Sequence, residues 1–104
     1  MSASGLSVDR DVIRDMVRLA AIEVPGVLWV GRAGAPWRRW LRGPGVRIRT
    51  RDGRVDVRLW IVARPDQPLG PLTGQVRASV GAAIERLLGM ELATVTVVVD
   101  GVGG

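Results

Sequence analysis

Val46-Arg47-Ile48-Arg49-Thr50-Arg51 is followed by Asp52-Gly53 and then by Arg54-Val55-Asp56-Val57-Arg58-Leu59-Trp60-Ile61. Both runs alternate apolar and polar residues with period two, the pattern of a strand with one buried face. Asp and Gly tolerate positive φ, so Asp52-Gly53 suits a two-residue type I′ turn. Such a turn sets the register: Arg51 opposes Arg54, Thr50 Val55, Arg49 Asp56, Ile48 Val57, Arg47 Arg58 and Val46 Leu59. One hairpin face is then Val46, Ile48, Val55, Val57, Leu59, Ile61 and Ala63. The other carries Arg47, Arg49, Arg51, Arg54, Asp56, Arg58, Trp60 and Arg64. Only the first can join a core.

Upstream, Ser7 or Asp9 can cap a helix running to about Val24, because either side chain accepts from an unpaired N–H of the first turn. Val12, Ile13, Met16, Val17, Leu19, Ala20 and Val24 share one broad face at helical spacing. The other face is charged, with Asp11–Arg14 and Asp15–Arg18 spaced for ion pairs. Pro25 and Gly26 end the helix. Gly26–Val30 reads as a first strand, and residues 31–44 as a basic, Trp-rich loop. Downstream, Pro65-Asp66-Gln67-Pro68 breaks the chain, and a second helix spans about Pro71 to Leu88. Its narrow stripe is Leu72, Val76, Val80, Ala83, Ile84 and Leu87, with Gly74 and Gly81 inside it. A last strand, about Leu92–Asp100, alternates Val95, Val97 and Val99 against Thr94, Thr96 and Val98.

The expected fold is therefore α+β, in the order α-β-β-β-α-β: a two-layer sandwich of one mixed four-stranded sheet with two helices on one face. The crossover through the second helix makes the last two strands parallel. Residues 1–5 and 103–104 read as tails around a single domain at 6–102. At 104 residues the chain suits one core that buries roughly two-thirds of its unfolded surface.

Composition narrows the chemistry. The chain has no Cys, no His and no Tyr or Phe, and all fifteen of its cations are Arg. Thiolate nucleophiles, Cys-ligated zinc, imidazole bases and Schiff-base lysines are excluded. No cofactor or metal is expected, and no catalytic residue. The Gly31-Arg32-Ala33-Gly34 stretch is no phosphate loop, because no helix with Lys-Ser/Thr follows it. Glu23 lies on the apolar arc of the first helix, yet at its end beside Pro25-Gly26, where a structural role outweighs a catalytic one. No stretch is long and apolar enough for a membrane span, and the N-terminus lacks signal-peptide features, so a cytoplasmic location is expected.

Four stretches in fixed order carry a family resemblance: Glu23-Val24-Pro25-Gly26-Val27 at the end of the first helix, the hairpin around Asp52-Gly53, the second helix through Val76, Val80, Ile84 and Gly89, and Val95-Thr96-Val97-Val98-Val99-Asp100-Gly101-Val102. Together they resemble the alkaline shock protein family of bacteria, also called the Gls-type envelope stress response family, over about residues 6–102. The resemblance implies a bacterial cytoplasmic stress-response protein without known catalytic residues, of a family in which some members are held at the inner face of the membrane by a membrane-anchored partner; self-association is expected as well. Small iron–sulfur assembly domains share the layout, but their cysteines are missing here.

Two candidate contact surfaces follow. The hairpin's Arg47, Arg49, Arg51, Arg54 and Arg58 project together beside Trp60, and guanidinium forks pair with phosphate or carboxylate. The loop Trp37-Arg38-Arg39-Trp40-Leu41-Arg42 combines the residue types that dominate protein hot spots and headgroup layers. The expected function is a non-catalytic envelope or alkaline stress-response scaffold or adaptor acting through protein–protein contacts near the inner membrane surface. The alternative is a nucleic-acid-binding module using the arginine-rich hairpin face, and a small hydrolase or transferase with a carboxylate base is a distant third.

Overall fold

The computed structural model describes residues 9–31 and 45–103. The elements are α1 (Arg10–Ile22), β1 (Val27–Val30), β2 (Val46–Arg51), β3 (Arg54–Ala63), α2 (Leu69–Ala83) continued by a π-helical turn (Ile84–Leu88), and β4 (Glu91–Val102). This is the α-β-β-β-α-β order of an α+β fold.

The hairpin forms in the register that its alternation requires. Val46 pairs with Leu59, Ile48 with Val57, Arg49 with Asp56 and Arg51 with Arg54. Asp52 and Gly53 both hold positive φ, at 51° and 77°, as a type I′ turn demands. β3 then runs parallel to β4 from Arg54↔Glu91 to Ala63↔Val102, with α2 as the crossover. The sheet is mixed.

β3 is the central strand in an uncommon way. β4 follows its whole length on one edge, whereas β1 and β2 share the other edge end to end. β2 covers Arg54–Leu59 and β1 covers Ile61–Ala63, both antiparallel. Trp60 stands at the join. Its carbonyl accepts from the Gly31 N–H at 2.7 Å, and its own N–H donates to the Gly45 carbonyl at 2.8 Å. Gly31 and Gly45 thus both meet the sheet beside a single residue of β3.

The core lies between the sheet and the two helices. Ile13, Val17, Ala20, Ala21 and Val24 from α1 and its exit meet Val46, Ile48, Val55, Val57, Leu59 and Ile61 from the sheet and Leu72, Val76, Val80 and Ile84 from α2. Leu92, Val95, Val97 and Val99 of β4 pack against this cluster. Asp9 is the N-cap of α1, its Oδ1 accepting from the Asp11 N–H at 2.8 Å. Ser7 lies outside the described residues. Of the two expected ion pairs on α1, Arg14–Asp11 forms at 2.7 Å. Asp15 and Arg18 are not paired.

Three apolar positions depart from the periodic reading, Val12 at 46% exposure among them. Leu19 is 60% exposed and Leu87 is 64% exposed. The apolar arc of α1 is wider than its contact with the sheet: the buried positions are 13, 17, 20 and 21, and Leu19 falls on the flank that faces α2. At the other end the π turn adds a residue per turn. The buried row 72, 76, 80, 84 therefore continues to Leu88, which packs on the core, and Leu87 is carried outward.

Candidate contact surfaces

The outer sheet face, opposite the helices, carries two transverse rows fixed by the strand registers. Arg49, Asp56 and Thr94 form one, and Arg47, Arg58 and Thr96 the other. Thr94 Oγ1 donates to Asp56 Oδ1 at 2.7 Å, engaging the carboxylate amid these arginines. Arg47, Arg49, Arg51, Arg54 and Arg58 are all exposed, as expected of residues alternating with a buried set. They do not act as one group. Arg54 turns to Glu91 of β4 at 3.2 Å, and Arg51 sits beside it at the turn. Arg47, Arg49 and Arg58 instead line a concavity of about 700 Å³ together with Arg10 and Arg14 of α1, Asp56, Thr94 and Thr96.

The arginines of α1 are the residues that periodicity alone missed. On a helical wheel they belong to a solvated face, and nothing local says that this face overhangs β2. The contact of α1 with β2 puts them there. Trp60 is buried at 7% exposure, with the Arg47 guanidinium 5.6 Å from the ring centroid, so its ring is no open platform for a stacked base. Trp37, Arg38, Arg39, Trp40 and Arg42 lie outside the described residues. The two ends of their segment, Gly31 and Gly45, are held against Trp60, next to the Arg47 stack.

A second concavity lies on the opposite side, in the helix layer. It measures about 360 Å³ and runs between α1 and the α2–π-turn segment, lined by Met16, Leu19, Ala20, Glu23, Ser79, Ala82, Ala83, Arg86 and Leu87. Small residues form its floor and the two exposed leucines lie along it. Ser79 Oγ donates to the Ala20 carbonyl at 2.7 Å and ties the two helices together there. Glu23, the C-cap of α1, is exposed, and among the described residues neither it nor Arg86 has an ion-pair partner.

Among the described residues no three acidic side chains gather where a metal could sit. No helix among them is long and apolar enough to cross a membrane.

The model of the alkaline shock protein 23 family, described by a cell envelope-related function, matches residues 2–103. No curated protein matches the chain. Among solved structures, the manganese form of a MamM CTD variant is similar at a TM-score of 0.58 and 17% identity, covering 89% of this chain and 99% of that one. The copper form of another variant gives 0.59 and 16%, covering 89% and 98%. A nickel form gives 0.57 and 16%, covering 88% and 96%. At such identities the likeness is one of fold.

Proposed function

The chain belongs to the alkaline shock protein 23 family, with its cell envelope-related function, and from that premise we propose that it is a non-catalytic scaffold or adaptor of the envelope stress response that works by self-association. The groove between the two helices carries this reading. Leu19 and Leu87 expose apolar side chains along it at a cost in hydration that only a partner surface recovers. The groove also holds one unpaired charge of each sign, Glu23 and Arg86. In a two-fold pair the same patch meets itself, so Glu23 of one copy reaches Arg86 of the other while the leucines close over the small-residue floor. A second copy therefore offers this surface both apolar side chains and complementary charge.

The helix layer and the outer sheet face point in opposite directions. Self-association through the helices leaves the arginine face free for a further partner. In this reading the Trp37–Arg42 segment and the face serve a cytoplasmic protein at the inner membrane surface, with a membrane-anchored partner as the other component.

Cysteine cross-linking tests the contact cleanly because the chain has no cysteine of its own. Leu87→Cys is expected to give a covalent dimer under mild oxidation, whereas Gln75→Cys, at an exposed position outside the groove, is not. Equal cross-linking of both variants, or of neither, would refute a helix-groove interface.

A further inference from the structure

The arginine-lined concavity on the outer face has a composition of its own. Arg10 and Arg14 reach it from α1, Arg47 and Arg49 from β2, and Arg58 from β3. Its lining contains one carboxylate, Asp56, which accepts from Thr94. Among the described residues Arg10, Arg49 and Arg58 have no ion-pair partner, and Arg47 is engaged with the Trp60 ring. Arg14 spends one terminal nitrogen on Asp11, while its Nε is shut off from solvent with no acceptor.

Five guanidinium groups with one carboxylate repel one another unless an anion enters. Each guanidinium offers a planar fork that matches two oxygens of a phosphoryl group. A lone carboxylate satisfies one such fork. A phosphoryl group presents three oxygens and can bridge several.

We propose that this concavity is a binding site for phosphoryl anions, lined by Arg10 and Arg14 of α1 together with Arg47, Arg49 and Arg58 of the sheet. The site is independent of the helix groove, so either can fail without the other. The phosphoryl group comes from a diffusible phosphorylated compound or from an anionic phospholipid headgroup, and the chemistry that recognises both is the same.

The test is calorimetric titration of the intact protein with inorganic pyrophosphate at low salt. Binding is expected, weakened at least tenfold in Arg10→Gln/Arg14→Gln and kept within twofold in Arg51→Gln, whose side chain is equally basic but lies outside the lining. Should the double variant not fold, Arg49→Gln takes its place with the same expectation. In a parallel arm, pelleting with phosphatidylglycerol vesicles that pyrophosphate reverses identifies the headgroup as the source. Failure to pellet, with pyrophosphate binding intact, identifies the diffusible compound. No pyrophosphate binding at low salt overturns the site, and so does equal weakening by Arg51→Gln, which would mean diffuse charge. A single-stranded oligonucleotide that binds where pyrophosphate does not, and is indifferent to Arg10→Gln/Arg14→Gln, would overturn it in favour of a nucleic-acid face.

Discussion

Gly45 lies directly against Gly31: a Cβ on Gly45 would stand 2.5 Å from the Gly31 Cα and 2.9 Å from its nitrogen. Both are backbone atoms that cannot swing aside, and both glycines hydrogen-bond to Trp60. Gly45→Ala is therefore expected to cost about 1–3 kcal/mol, the range for forcing atoms into a packed site. Gly74→Ala has the opposite sign. It sits within α2 with open space where a Cβ would go, so it should stabilise by about 0.5–1 kcal/mol through helix propensity. Urea unfolding of the two variants reads both signs in one experiment.

The two classes of leucine separate in the same measurement. Leu59 is fully buried between the layers, and Leu59→Ala is expected to cost about 2–5 kcal/mol. Leu19→Ala removes a side chain that is mostly in water and should stay within about 0.5 kcal/mol of the parent in dilute solution. A large loss at Leu19 would mean that its flank of α1 is packed in the monomer.

Ser79 joins the helices through its bond to the Ala20 carbonyl. Ser79→Ala is expected to lose about 0.5–1.5 kcal/mol, the usual net worth of such a bond. Because this bond lies in the floor of the groove, the same variant should also weaken self-association by loosening the spacing of α1 and α2. Denaturant titration gives the first quantity and a dilution series the second.

Asp9 supplies the side-chain cap seen at the start of α1. Asp9→Ala should cost about 0.5–2 kcal/mol, and Asp9→Asn or Asp9→Ser should restore most of it, since all three cap residues accept from the first turn. Loss of stability in Asp9→Ser equal to that in Asp9→Ala would assign the effect to charge instead of capping.

The hairpin register was legible because three local rules agree: alternation in Val46–Arg51, alternation in Arg54–Ile61, and a turn whose two residues accept positive φ. The parallel crossover followed from chain order alone. The strand arrangement was not legible, since nothing in Val27–Val30 says that it shares an edge of β3 with β2. Leu19 and Leu87 were misplaced for physical reasons. A helical wheel assigns a face but not its width of contact, and it assumes a constant pitch that the π turn at Ile84–Leu88 breaks. The basic hairpin face was visible as a stripe, yet its division was not. Glu91, distant in sequence, removes Arg54 from the group, and α1 adds Arg10 and Arg14 to it.

Sedimentation equilibrium over a wide concentration range tests the central claim, that the helix groove is a self-association surface, most directly. The wild-type mass is predicted to rise from the 11.2 kDa of one chain towards twice that value. Leu19→Glu/Leu87→Glu, with an unchanged circular dichroism spectrum, is predicted to remain at the single-chain mass throughout. A wild-type protein that stays at one chain mass at every concentration, or a double variant that associates as the wild type does, would contradict it.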